Sequence, residues 1–168
     1  PNWTINVSTG RSKPNVGSVA FPALRLTTTN TSSSGAGTLL ILVTDTDFGP
    51  SMNPLEAITS SNSSATETGQ VTTESFFDLA NGEFAMTTSV GGPLMGSGEY
   101  DVSIIGYGAT DAAYSVTLAT EVVHTAGNTS QFDSSLTTVP EPGTLLLLGS
   151  GLVGLAGYGK LRLRRRKK

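Results

Sequence analysis

Residues 100–123, YDVSIIGYGATDAAYSVTLATEVV, contain the clearest structural signal in the chain. In each half of this stretch large apolar residues alternate with polar ones, as in Tyr114-Ser115-Val116-Thr117-Leu118. An alternation of period two places the apolar side chains on one face of a β-strand. Segment 106–111 is rich in glycine and has the composition of a hairpin connection. The stretch therefore predicts two β-strands.

Further strand candidates lie on both sides of this stretch. Segment 38–44, TLLILVT, is almost continuously apolar, which is typical of a strand buried on both faces, so we expect it at the centre of the core. Segment 19–26 contains Pro22, which cannot donate a ladder hydrogen bond, and this predicts an edge or bulged strand. The other candidates are segments 3–7, 71–77 and 83–90.

The body of the chain is thus predicted to be all-β. About seven or eight short strands separated by turn residues indicate a single antiparallel β-sandwich with a jelly-roll-like arrangement. The polar segment 59–68 is expected to be a long loop or a weak edge strand. We expect the domain to span residues 1–125, because residues 126–138 lose the alternation and have the Ser and Thr content of a flexible linker.

The distribution of charge excludes several classes of function. Seven of the ten Lys and Arg residues lie between Lys160 and Lys168. The rest of the chain has only three basic residues, Arg11, Lys13 and Arg25, to balance the charge of the thirteen Asp and Glu residues. An acidic body without clustered cations is a poor partner for phosphates, so we expect no binding to nucleic acid. Cysteine is absent, which excludes disulfides, thiolate nucleophiles and thiolate metal sites.

Few residues of the body suit catalysis, and we expect no enzymatic activity. The single histidine, His124, is expected on the surface of a strand, and no serine elbow accompanies it. Paired carboxylates such as Asp45 and Asp47 are more often a solvated face than a hydrolytic pair. Asp45 and Asp47 at a predicted strand end are instead our candidate ligands for calcium, together with Asp78, Asp101 and Asp111 in neighbouring loops. No other cofactor is predicted.

The last thirty residues have a different organisation. Val139-Pro140-Glu141-Pro142-Gly143 precedes an uncharged run from Thr144 to Gly159, which as a helix would span about 24 Å of a hydrocarbon core of about 30 Å. A basic tail follows the run, and the positive-inside rule would keep it in the cytoplasm. The tail residues are Lys160, Arg162, Arg164, Arg165, Arg166, Lys167 and Lys168. A core helix with a solvated basic end and an unprocessed membrane anchor are the alternatives.

Residues 139–168 resemble the PEP-CTERM sorting signal of Gram-negative bacteria, since the Pro-Glu-Pro motif, the transmembrane segment and the basic tail occur in the same order. Pro140, Glu141 and Pro142 match the motif itself. The resemblance implies an exported protein whose precursor is tethered in the inner membrane and recognised by an exosortase. It further implies delivery to the cell surface or the extracellular matrix, where such proteins are associated with exopolysaccharide, biofilm or floc formation.

These features predict a secreted structural protein. Exposed strand edges of a sandwich can pair between copies, so we expect the domain to assemble into homo-oligomers or filaments within the matrix. The alternative function is a carbohydrate-binding or adhesive module on the cell surface. In that case exposed aromatic side chains, for which Tyr100, Tyr107 and Phe132 are the candidates, would stack on sugar rings.

Overall fold

A computed structural model describes residues 1–6, 8–49, 55–65, 68–96, 100–108, 112–138 and 150–153. Eleven β-strands lie within these ranges. They are β1 (Trp3–Ile5), β2 (Ser8–Arg11), β3 (Ala23–Ser33), β4 (Gly37–Phe48), β5 (Leu55–Ala65), β6 (Gly69–Asp78), β7 (Thr88–Ser89), β8 (Leu94–Gly96), β9 (Tyr100–Gly108), β10 (Tyr114–His124) and β11 (Asn128–Thr138).

The strands form two antiparallel sheets. Sheet A has the order β1-β3-β11-β5-β9, and β2 also pairs with β3. Sheet B has the order β4-β10-β6-β7, and β8 also pairs with β6. Buried apolar side chains of both sheets form one core, so the structure confirms the predicted antiparallel β-sandwich. The strand number exceeds the expected seven or eight, partly because β1, β7 and β8 are only two or three residues long.

The centre of the core is provided by β10. This strand lies between β4 and β6, and every residue from Tyr114 to Thr120 is buried. Its inward side chains pack in one cluster with Leu24 and Leu26 of β3 and with Phe132 and Leu136 of β11. The outer face of β10 is partly covered as well, since the Ser115 hydroxyl donates to the Gly82 carbonyl at 2.7 Å.

The position predicted for segment 38–44 is wrong. It belongs to β4, which forms an edge of sheet B instead of its centre. Leu39, Ile41 and Val43 pack against the core, whereas Leu40 is exposed. A continuous apolar run shows that both faces of a strand are hydrophobic, but it does not show whether both faces are covered. An edge strand with one uncovered face can have the same sequence pattern.

Two polar segments that were predicted to be irregular are internal strands. Segment 59–68, expected as a loop or weak edge, supplies most of β5, and the expected linker 126–138 supplies β11. The two strands pair with each other along nine residues. On β11, Ser130, Phe132, Ser134, Leu136 and Thr138 alternate inward and are buried. Small hydroxyl residues at inward positions concealed the alternation in the sequence, and the domain therefore extends through Thr138.

Four other predictions about elements are corrected in part. The strands within 100–123 are confirmed as β9 and β10, but β9 pairs with β5 in sheet A and β10 belongs to sheet B. Segment 106–111 therefore does not close a hairpin between them. Pro22 precedes β3, which pairs on both sides and is therefore not an edge strand. The register of β3 with β11 does shift between Thr31 and Thr28, as in the predicted bulged alternative. Only Thr88–Ser89 of segment 83–90 is a strand.

The two ends of the sandwich can be named from the register. The base is the end at which β4, β6 and β11 finish, with Phe48 and Asp78 both beside the start of β10. The apex is the opposite end, where His124 pairs with Gly37 and Gly69. Residues 150–153 are helical, and among the described residues no helix has the length and apolar character needed to span a membrane.

Candidate functional site

The sandwich continues to the edge of the proposed sorting signal. Thr138, the last residue of β11, is buried at the base, and its backbone N–H and its hydroxyl both donate to the Pro22 carbonyl at 3.1 Å. Val139 alone separates this anchored residue from Pro140. The flexible spacer expected at 126–138 is therefore replaced by a central strand.

The sorting residues themselves lie outside the described residues. This applies to the motif Pro140, Glu141 and Pro142, to the limits Thr144 and Gly159 of the apolar run, and to the basic tail from Lys160 to Lys168. Their roles remain predictions from the sequence.

A polar groove of about 400 Å³ crosses the outer face of sheet A. It runs over β3, β11 and β5, where Ser135 lies opposite Arg25 on one side and Ser60 on the other. Val16 and Ala23 provide its apolar part. The outward polar side chains that line it are Arg25, Ser60, Asn62, Asp133, Ser135 and Thr137. This set offers a guanidinium, a carboxylate, an amide and hydroxyls, which together suit a ligand with many hydroxyl or carboxylate groups.

Arg25, which lines this groove, has a second arginine beside it in the sheet. Arg11 of β2 is the register partner of Arg25 of β3, and both are exposed. Directly opposed residues of an antiparallel pair share a face, and like charges there repel. Among the described residues the single ion pair joins Lys13 to Asp45, so neither arginine has a carboxylate partner within this part of the chain.

Of the three aromatic residues predicted to stack on sugars, the structure describes the side chain of Phe132. Phe132 is 2% exposed and packs in the core, so its assignment as a sugar-stacking residue is wrong. An inward position on β11 accounts for this burial. The side chains of Tyr100 and Tyr107 lie outside the described part of the structure.

His124 is buried at the apex, which corrects the predicted surface position. Its Nδ1 lies 2.7 Å from the Ser33 hydroxyl and its Nε2 lies 2.8 Å from the Ser130 hydroxyl. Since Ser33 donates its own hydrogen to the Gly35 carbonyl at 2.9 Å, Nδ1 carries the proton and Nε2 accepts from Ser130. Burial lowers the pKa of His124. The neutral ring, stacked at 4.8 Å on Trp3, thus ties β1, β3 and β11 to β10.

Asp45 and Asp47, the calcium candidates, have separate partners. Lys13 lies 2.9 Å from Asp45, and the Ser12 hydroxyl also donates to this carboxylate. Partial burial acts to raise the pKa of Asp45, but the hydrogen bonds from Ser12 and Lys13 and the charge of Lys13 lower it overall. Asp47 instead accepts from the Asn81 amide at 2.7 Å. An ammonium beside Asp45 disfavours a cation there, and the described residues contain no group of three or more His, Asp or Glu suited to a metal.

Sequence reasoning did not find the groove residues. Arg25, Asn62 and Asp133 come from three strands that are distant in sequence, and their proximity follows from the pairing of β11 with β3 and β5. The one available signal was the alternation of outward polar residues with inward residues along segment 128–138. Because several of the inward residues are serines, this alternation was not visible as a change between apolar and polar residues.

Comparisons with solved structures find matches of low sequence identity. TmCBM61 in complex with β-1,4-galactotriose is 9% identical, with 80% of this chain and 88% of that chain covered at a TM-score of 0.43. The enzymatically active domain of bacteriophage CBA120 tailspike protein 4 is 13% identical, with 82% and 19% covered and a TM-score of 0.39. The CBM22-1-GH10 modules of Clostridium thermocellum endo-1,4-β-D-xylanase 10B, complexed with xylohexaose, are 12% identical, with 80% and 26% covered and a TM-score of 0.33.

No curated protein matches the sequence. One family model does match: residues 138–167 fit the PEP-CTERM protein-sorting motif. This range begins at Thr138, the residue that ends β11, and it includes the Pro-Glu-Pro tripeptide, the apolar run and nearly all of the basic tail. The resemblance found in the sequence is therefore confirmed, and the chain carries a PEP-CTERM protein-sorting motif at residues 138–167.

Proposed function

We propose that this chain is an exported surface protein whose precursor is held in the inner membrane and processed by an exosortase. The observation that carries the proposal is the match of residues 138–167 to the sorting motif. The chemistry of the segment supports it, because two prolines keep residues 140–142 out of a helix and leave them accessible to a protease. The apolar run and the basic tail then fix the orientation, with the sandwich outside the cytoplasm.

The test is the mass and location of the protein in a Gram-negative host with and without its exosortase. We expect loss of the tail and release from the inner membrane only when the exosortase is present. A variant with Pro140→Ala and Pro142→Ala should remain unprocessed, while Pro93→Ala, at an exposed proline of the described domain, should be processed normally. An intact tail in every strain would mean that residues 139–168 act only as a membrane anchor and are not processed by an exosortase.

For the delivered domain we propose a structural role in the extracellular matrix, with copies joined through β4. This edge strand is twelve residues long, and among the described residues it pairs only with β10. Lys13 donates to the Thr46 carbonyl near the base, and Gly49 donates to Val19 there. Segment 38–44 between the ends carries no proline or charge, which are the usual protections of an edge against pairing with another chain.

Self-association is tested by sedimentation of the processed protein. Leu40→Lys places a charge on the exposed side of the β4 edge, opposite Glu121 in the register, and should shift oligomers toward monomers. Met95→Lys makes the same change on β8, at the other side of sheet B, and should leave the distribution unchanged. A wild-type protein that stays monomeric at all concentrations would contradict this role.

The second candidate function is binding of an acidic polysaccharide, which Arg25 in the groove and Arg11 opposite it in the register favour. A ligand carboxylate would relieve the repulsion of these two guanidinium groups, and the remaining groove residues would bind sugar hydroxyls. Arg25→Gln should weaken retention on a polyuronate, whereas Arg25→Lys, which keeps the charge, should retain part of it. Equal binding of a neutral glucan by all three proteins would exclude this specificity.

A further inference from the structure

Two loops at the base converge on the end of β4. The loop of residues 12–22 is attached where Gly49 N–H donates to the Val19 carbonyl at 2.8 Å. The loop of residues 79–87 is attached where Asn81 accepts from the Asp47 N–H at 2.9 Å and donates to its carboxylate at 2.7 Å. The attachment points, Asp47 and Gly49, are two residues apart at the end of β4, so both loops are held at the same end of this strand.

This end of the sandwich carries exposed apolar side chains. Val19 is 52% exposed, Phe21 is 51% exposed, and Leu79, in the turn directly after β6, is 56% exposed. The first tip is a closed turn, because Ser18 N–H donates to the Phe21 carbonyl at 2.9 Å and Phe21 N–H donates to the Ser18 hydroxyl at 3.1 Å. Its side chains are therefore presented outward by a defined backbone. We call Val19, Phe21 and Leu79 the basal apolar patch.

The chain leaves the sandwich beside this patch. Thr138 is hydrogen-bonded to the Pro22 carbonyl, one residue from Phe21. The six residue-to-residue steps from Thr138 to Thr144 span at most about 22 Å when fully extended. Part of that length is taken by the headgroup layer, which is about 5 to 8 Å deep on each side of the hydrocarbon core. An inserted apolar run therefore holds the base close to the bilayer surface.

The charges near the base favour an uncharged lipid surface. Lys13 is neutralised by Asp45, and Asp78 accepts from Gly82 N–H and the Thr87 hydroxyl, each at 2.9 Å. Glu83 and Asp47 remain exposed. Arg11 and Arg25, both exposed, lie at the end of β2 and near the start of β3, on either side of the loop of residues 12–22. The exposed charges near the base are thus mixed in sign, which suits the interface of a zwitterionic bilayer better than that of an anionic one.

We propose that the basal apolar patch inserts into the outer leaflet of the inner membrane while the precursor is tethered, so that the sandwich rests on the bilayer. This inference depends on the proposed function, because it needs the apolar run 144–159 to be in the membrane. It assigns to Val19, Phe21 and Leu79 a contact with lipid that orients the sandwich, with its base down and its apex away from the membrane.

The test uses the full chain in phosphatidylcholine vesicles. Because the protein has no cysteine, an environment-sensitive fluorophore is attached at one introduced cysteine, in Phe21→Cys or in Leu79→Cys. Leu40→Cys and Met95→Cys are the matched controls, since these residues are 48% and 59% exposed but lie toward the apex. Leu152→Cys reports insertion of the tail. Quenching by lipids with a nitroxide on the acyl chain measures contact with the bilayer.

We expect a blue shift and quenching of the labels at 21, 79 and 152, with neither effect at 40 and 95. Quenching at 152 without quenching at 21 and 79 overturns the inference while the membrane anchor of the proposed function stands. If the label at 152 is not quenched, the apolar run is not in the membrane, and both the proposed anchor and this inference are wrong. A blue shift at 21 that increases with protein density but is insensitive to the nitroxide means that the patch binds a second copy, which also overturns it.

Discussion

At the scale of single residues, His124 gives the domain a dependence on pH. Its ring is 1% exposed, and burial lowers the pKa in the folded state below the ordinary value of 6.5. Below about pH 6.5 the unfolded chain binds a proton that the folded chain excludes. Above that pH the free energy of unfolding does not depend on the protonation of His124. As the pH falls from 6.5 toward the pKa of the folded state, the free energy of unfolding decreases by up to about 1.4 kcal/mol per pH unit.

Urea unfolding of the wild type and of His124→Gln, at pH 7.5 and pH 5.5, measures this effect. The wild type should lose stability at the lower pH, and the variant should lose less because it lacks the titrating ring. Glu121→Gln, at an exposed position of the same strand, should follow the wild type. An equal loss in wild type and His124→Gln would mean that another group causes the pH dependence.

At the scale of elements, the two sheets are joined by hydroxyl groups as well as by hydrocarbon. Thr73 on β6 lies 3.0 Å from the Ser61 hydroxyl, 2.9 Å from that of Ser134 and 3.3 Å from that of Thr120. All four side chains are buried. A buried hydroxyl without its partner costs about 1–3 kcal/mol, so the members of this network depend on one another.

Thr73→Val keeps the shape of the side chain and removes its hydroxyl. It should lower the free energy of unfolding by about 1–3 kcal/mol. Thr72→Val is the matched control, because Thr72 is the next residue of β6 and is only partly buried on the opposite face. It should change stability by less than about 0.5 kcal/mol. Equal effects of the two variants, in chemical unfolding, would show that the network does not stabilise the sandwich.

The strand β11 is the element for which sequence and structure differ most. As a linker it would tolerate substitution throughout, but as an internal strand it contributes Leu136 to the core. Leu136→Ala should therefore lower the free energy of unfolding by about 2–5 kcal/mol, while Thr137→Ala, on the exposed face, should be nearly neutral. Thermal or chemical unfolding of both variants measures the difference. If Leu136→Ala does not change the free energy of unfolding, segment 126–138 behaves as the flexible linker that the sequence predicted.

The same strands show which parts of the fold could be predicted from the sequence and which could not. The strand β10 was predictable, because the large apolar residues Tyr114, Val116 and Leu118 hold its inward positions. The strand β9 was predictable from the alternation of Tyr100, Val102 and Ile104 with polar residues in the sequence. The strands β5 and β11 were not, because inward residues such as Ser61 and Ser134 are small and polar, and their hydroxyl groups pair with Thr73 only when the other sheet is present. Arg25 and Asp133 likewise meet only through strand pairing. The sorting motif was readable because its parts are contiguous.

At the scale of the whole molecule, the proposed contact with the bilayer depends on the short connection between β11 and the sorting motif. An insertion of eight Gly and Ser residues between Thr138 and Val139 would lengthen the connection by up to about 28 Å. The label at Phe21→Cys should then lose its quenching by lipid nitroxides, because the effective concentration of the patch at the bilayer falls with the length of a flexible tether. The label at Leu152→Cys should be unaffected.

The same eight residues inserted between Gly35 and Ala36 form the control, because this loop lies at the apex and lengthening it leaves the distance from Thr138 to the membrane unchanged. Quenching at position 21 should persist in that variant. If quenching also persists with the longer spacer, then Val19, Phe21 and Leu79 bind the bilayer through their own affinity without help from the tether. If it disappears, the contact depends on the direct continuation of β11 into the sorting signal, and removal of the tail by the exosortase would release the sandwich from the membrane surface in the same step.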